Sequence, residues 1–198
     1  MKRVCVFCGS SPGAGPEYLD AARELGYALV KRNIELVYGG AKVGMMGGIA
    51  RAVLEKGGRV IGVIPQGLAE KEVAFTRLTD LRVVESMHER KALMAKLSDG
   101  FIALPGGLGT IEEFFEVATW AQLGIHLKPC GLLNVKHYYS RLIDFLEHTV
   151  AEAFVEPEHR SMIVVDEDPE SLIQKFESYR PPTVDKARWV LQLAHKHE

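Results

Sequence analysis

Short apolar runs alternate with helical stretches along the whole chain, and three of those runs end directly in glycine-rich or small-residue turns. Such alternation is the pattern of an α/β fold, a Rossmann-like parallel sheet with helices on both faces. The strand-like runs are residues 3–8, 34–38, 59–64, 81–85, 100–104, 130–135 and 163–165. The run at 100–104 is almost wholly apolar, as expected of a strand covered on both faces. Helical periodicity covers 16–31, 87–97, 110–123, 138–153 and 169–179, and a further helix opened by the glycines at 39–48 runs to 56. In the first of these, Leu19, Ala22, Leu25, Ala28 and Leu29 share one face. Residues 65–79 are polar and irregular, longer than a usual connection, and such loops are more often functional than idle. Pro181-Pro182 breaks the chain before a short basic helix at 184–197. A length of 198 residues suits one domain, placed at 1–180, with 181–198 as a helical extension packed on it.

Charge narrows the partners. With 24 Lys+Arg against 26 Asp+Glu the chain carries a formal −2, which gives no general attraction to a polyanion, so nucleic acid is not the expected partner. The apolar run that follows Met1-Lys2-Arg3 is too short for a signal segment or a membrane span, and a cytoplasmic address with no membrane association is expected. Of the three cysteines, Cys5 and Cys8 form a lone C-x-x-C inside a strand, where side chains three apart point to opposite faces, so neither a redox pair nor a zinc site is expected. The seven histidines show no H-E-x-x-H and no ligand spacing, and no metal or cofactor is expected.

In open α/β sheets ligands bind at the carboxyl ends of the strands. The turns at Gly9-Ser10, at Gly39, Gly40 and Gly44, and at Pro105-Gly106-Gly107-Leu108-Gly109 all fall there. Glycine lets amides approach an anion closely, and the helix that follows adds its positive end. The second turn lacks the lysine-serine/threonine ending of a triphosphate loop, and no clean G-x-G-x-x-G follows a strand. A single phosphate fits better than a triphosphate or a dinucleotide.

Thr110-Ile111-Glu112-Glu113 has two readings: a capping box at a helix start, or a carboxylate set one turn from the phosphate cradle. Glu112 is an alternative to Glu113, since adjacent helical positions differ by only ~100°. His88-Glu89-Arg90-Lys91 reads either as a solvated face or as a cationic first turn that answers an anion, because cations there oppose the helix dipole. Strand four's end is expected beside that of strand five. Glu72 is plain surface unless its loop folds over the site.

Two motifs together, P-G-G-x-G-T-x-x-E at 105–113 and M-x-x-R-K at 87–91, resemble those of the Lonely Guy family of cytokinin riboside 5′-monophosphate phosphoribohydrolases, long labelled lysine decarboxylase-like. The resemblance extends from Gly9-Ser10-Ser11 through Tyr38-Gly39-Gly40 and Trp120-Ala121-Gln122-Leu123-Gly124-Ile125 to His137-Tyr138-Tyr139. Ala41 replaces the family's usual third glycine and Met45 its leucine. What the resemblance implies is cleavage of the N-glycosidic bond of an adenine-type nucleoside 5′-monophosphate, with Arg90 and Glu113 in the catalytic role. It also implies substrate contacts at Glu72, Arg90, Lys91, Gly107, Leu108, Gly109, Thr110, Ile111, Glu112, Glu113 and Thr119, and a homodimer with sites near the subunit boundary.

Three rivals make different demands. A decarboxylase needs a lysine bound to pyridoxal phosphate, and no lysine here has a context that singles it out. A phosphoribosyltransferase wants paired acids at a strand end, where this chain has Leu104, Pro105 and Gly106. A nucleotide or cofactor carrier has no need for a carboxylate beside the sugar.

Overall fold

The computed structural model describes residues 1–182, the side chains of Glu72 and Val73 excepted. The helix expected over 184–197 lies outside the described residues. Strands β1 (Arg3–Phe7), β2 (Glu35–Tyr38), β3 (Val60–Pro65), β4 (Asp80–Val84), β5 (Gly100–Ala103), β6 (Cys130–Leu133) and β7 (Ile163–Asp166) form one sheet in the order β4-β3-β2-β1-β5-β6-β7. Every neighbouring pair is parallel. The helices are α1 (Pro16–Lys31), α2 (Gly44–Glu55), the single turn α3 (Gln66–Leu68), α4 (Met87–Leu97), α5 (Leu108–Gln122), α6 (Ser140–Ala151), α7 (Pro157–Ser161) and α8 (Pro169–Ser178).

Two apolar layers hold the sheet. Helices α1, α2 and α8 cover one face, with Leu25, Leu29, Ile49 and Phe176 packed on Val4, Val6 and Ile102. Helices α4, α5 and α6 cover the other, with Met94, Phe114 and Val117 against Cys5, Phe7 and Phe101. The period of two along β1 thus sends Cys5 and Cys8 into opposite layers, as their spacing requires, and both are buried free thiols. Every residue of β3, β5 and β6 is buried, which is why these strands read as unbroken apolar runs.

The chain leaves β1 toward β4 in one direction, returns beneath the sheet through α4, and continues to β7 in the other. The reversal falls between β1 and β5, the topological switch point.

Three expectations need correction. Strand four does not neighbour strand five, because β3, β2 and β1 lie between them; α4 instead spans the gap, packing on β1, β2 and β3. Residues 65–79 are more ordered than a loop, holding α3, a wide helical turn at Ala69–Val73 and a bridge between Ala41 and Ala74. Helix α7 was not foreseen, although Pro157 at its first position is a start signal.

The close approach of α8 rests on two glycines. Phe176 lies flat over Gly100 of β5 and Gly131 of β6, where an added Cβ would sit 3.1 Å and 2.7 Å from its ring. Phe176→Ala is expected to lower stability by about 3–5 kcal/mol, read as a lower urea midpoint with an unchanged m value.

Candidate active site

The turns after β1 and β5 meet at the switch point. Gly9 N donates to Pro105 O at 3.1 Å, and the two turns line a crevice of about 390 Å³ whose other walls are Tyr18, Met45 and Tyr138. The glycines around it serve two different ends. Gly44, at φ +54, lies against the Ser10 carbonyl, and Gly106 lies against Thr110 and Gly9, so side chains at either would strike protein atoms. Gly40, at φ +77, packs on Val63 and Ile64. At Gly107 and Gly109, by contrast, an added Cβ would meet nothing within 4 Å. Their bareness exposes backbone rather than relieving crowding. Ala41, where the family motif has glycine, is held in the bridge to Ala74 and accepts a hydrogen bond from the Tyr38 hydroxyl at 3.2 Å. A methyl is accommodated there.

Helix α5 starts two residues earlier than its sequence pattern suggests. Gly107 is its N-cap, with no side-chain cap, so the first-turn amides of Leu108, Gly109 and Thr110 face outward without intrahelical acceptors. Thr110 is therefore inside the helix and is not a cap. The capping box belongs to α4, where the Ser86 hydroxyl accepts from Glu89 N at 3.1 Å and the Glu89 carboxylate accepts from Glu85 N at 2.9 Å. Ser86-x-x-Glu89 was legible in the sequence as the same signature.

Freed from capping, Glu113 is buried and paired with Arg90. The guanidinium of Arg90 donates through Nη1 to Glu113 and through Nε to Val63 O at 3.1 Å, and its Nη2 lies against Gly39. One α4 side chain thus ties the ends of β2 and β3 to α5. Burial pushes the Glu113 carboxyl above its ordinary value, and the Arg90 charge opposes that rise. Glu112, one position earlier, turns outward to Lys91, which also reaches Glu116 at 3.1 Å. The cations of the first turn of α4 are therefore met by carboxylates of α5.

The remaining expected positions are dispersed. Leu108 is 87% exposed at the mouth of α5, and Ile111 is half-buried. Thr119 lines a separate cavity of about 120 Å³ with Phe115 and His159. The Glu72 side chain lies outside the described residues. Among the described residues no group of three or more His, Cys, Asp or Glu is placed to hold a metal, and no helix is long and apolar enough to cross a membrane. Tyr138 and Tyr139 were read only as part of a resemblance; both hydroxyls bond to the turn after β5.

Fold and site together define a Rossmann-like α/β protein with a glycine-lined crevice at its switch point and a buried arginine–glutamate pair between α4 and α5. The chain belongs to the Lonely Guy family: the family described as "Possible lysine decarboxylase" matches residues 46–176. A protein of Oryza sativa subsp. japonica named "Probable cytokinin riboside 5'-monophosphate phosphoribohydrolase LOGL9" is 56% identical over 91% of this chain and 80% of its own length. "Cytokinin riboside 5'-monophosphate phosphoribohydrolase LOG1" of Arabidopsis thaliana is 51% identical over 97% of this chain and 92% of its own. Among solved structures, a molybdenum cofactor binding protein of Rippkaea orientalis superposes with a TM-score of 0.66 at 23% identity, covering 90% of this chain and 97% of that one. At that identity the likeness is one of fold.

Gly39 is the position on which the pair depends. Gly39→Ala is expected to push the guanidinium off Glu113 and to cost about 3–5 kcal/mol, because two buried charges lose their pairing. A crystal structure of the variant with urea denaturation checks both parts.

Proposed function

We propose that this chain hydrolyses the N-glycosidic bond of adenine-type nucleoside 5′-monophosphates, cytokinin riboside 5′-monophosphates among them. Water adds its oxygen to the anomeric carbon and its proton goes to the departing base, giving free base and ribose 5-phosphate. The observation that carries this reading is the buried Arg90–Glu113 pair, whose glutamate lies on the helix that starts, uncapped, from Gly107 at the crevice. The names of relatives at over 50% identity support it.

Cleavage of a sugar–base bond builds positive charge on the sugar, as in glycoside hydrolysis. In a site shielded from water a carboxylate stabilises that charge strongly. Glu113 serves here, stabilising the sugar cation, holding ribose hydroxyls and orienting the attacking water. Arg90 keeps Glu113 in place and favours departure of the base. The phosphate sits on the amides of Gly107, Leu108, Gly109 and Thr110, and this remote grip orients the reacting bond. Glu72, Lys91, Ile111 and Glu112 complete the substrate shell, and Gly9, Ser10, Gly39, Gly40 and Gly44 shape the turns around it. A carrier fits less well, since storage of a cofactor gives no reason to bury an arginine–glutamate pair next to the crevice.

A homodimer belongs to the same reading. Thr119 follows Thr110 by nine residues, roughly 13 Å along the helix, so it serves such a crevice only across a subunit boundary. Leu108, Ile125 and Leu127 are exposed apolar side chains that a second copy would cover. Three free thiols suit a reducing cytoplasm. Sedimentation is expected to show a dimer at assay concentration, and a fully active monomer would remove this part.

Incubation with AMP, an isopentenylated AMP and adenosine is expected to release base from the two monophosphates alone. Glu113→Gln should lower kcat by about 10²–10⁴-fold with little change in nucleotide affinity. Equal, small losses in both would demote Glu113 to packing. Because burial raises the Glu113 carboxyl and the reaction uses its ionised form, activity is lost as pH falls through the raised value. The acid limb of kcat/KM is thus expected above 4.5, the ordinary glutamate value.

A further inference from the structure

Three successive carbonyls in the turn after β5 are each captured. Leu104 O accepts from the Tyr139 hydroxyl at 2.7 Å, Pro105 O from Gly9 N at 3.1 Å, and Gly106 O from the Tyr138 hydroxyl at 2.6 Å. None of these peptides is cis. In a trans peptide the N–H points opposite to the C=O that precedes it. Capture of the Pro105 and Gly106 carbonyls therefore aims the Gly106 and Gly107 N–H groups the other way, and among the described residues neither has an acceptor. The Leu104 carbonyl precedes a proline, so its capture anchors the turn without aiming a donor.

The tyrosines arrive there through a strained connection. After β6, Lys136 and His137 take φ of 50° and 57°, a left-handed pair without glycine. Such a conformation persists only where its surroundings hold it. Buried Asn134 does so, accepting from Tyr139 N at 2.7 Å and donating to Ser140 Oγ at 3.3 Å, and Lys136 pairs with Glu17 at the start of α1. The Tyr138 ring is gripped edge-on by Tyr139 at 5.0 Å and by Tyr18 at 6.0 Å, and it walls the crevice.

We propose that Tyr138 and Tyr139 are positioning residues of the phosphate turn, Tyr139 anchoring it and Tyr138 setting the polarity of its 106–107 peptide, and that the Tyr138 hydroxyl determines how tightly a sugar 5-phosphate is held. This rests on the placement of the phosphate on residues 107–110. Tyr138 touches the turn and not the reacting bond, so its effect belongs in binding. Loss of its hydroxyl lets the peptide between residues 106 and 107 rotate, and one aimed donor is lost.

The test is Tyr138→Phe, which keeps the ring. Its KM for AMP and its Kd for ribose 5-phosphate, measured by calorimetry, should rise together by about fivefold to tenfold, with kcat within about twofold and the melting temperature held. Tyr27→Phe, on α1 beneath Lys56 and outside the crevice lining, should change neither. Tyr139→Phe should raise the same two constants while also lowering the melting temperature, since it leaves a buried carbonyl unpaired. An unchanged ribose 5-phosphate affinity in Tyr138→Phe overturns the proposal, as does a fall in kcat at constant KM. A native chain that binds ribose 5-phosphate yet cleaves no nucleotide would refute the hydrolase and leave the clamp measurable. One that does not bind it refutes both.

Discussion

A charge taken out of water must find a partner, and the pairing of Arg90 with Glu113 is the point around which this architecture is arranged. An isolated buried guanidinium or carboxylate would cost several kcal/mol, so α4 and α5 have to meet with these residues in register. The crossing of α4 beneath three strands brings them together. Gly39 leaves room for the guanidinium, Val63 O takes a further donor, and the early start of α5 at Leu108 turns Glu113 inward. The outward neighbours Lys91 and Glu112 repeat the contact nearer solvent, where an ion pair is worth far less.

The crevice follows from topology rather than from any single motif. Where the strand order reverses between β1 and β5, the helices depart to opposite faces and leave a gap above the strand ends. Glycine is used there for two unlike purposes. Gly44 and Gly106 permit backbone to pack on backbone, whereas Gly107 and Gly109 keep amides uncovered toward the gap. A glycine-rich string in a sequence does not distinguish these uses; the space around each Cα does.

Much of the fold was legible because parallel strands buried on both faces must be apolar throughout, as at 100–104, and because amphipathic stripes such as that of α1 survive in the primary structure. What failed was adjacency. Nothing local states that β4 lies at the sheet edge, so the route by which Arg90 reaches Glu113 was invisible even though both residues stood out. T-x-x-E at Thr110 left a capping box open as one of two readings, while the working one at Ser86 lies unmarked among charged neighbours. The tyrosines' contacts with Gly106 and Leu104 span 32 and 35 residues, and no periodicity encodes such a distance.

The three cysteines lead in a practical direction. Cys5, Cys8 and Cys130 are all buried, and burial drives their thiols upward, that of Cys130 to about 12. At neutral pH they present almost no thiolate to a reagent in solution. A cysteine engineered anywhere on the exterior would therefore be the one fast-reacting group, so fluorophores or spin labels can be attached at chosen positions without first stripping out native thiols.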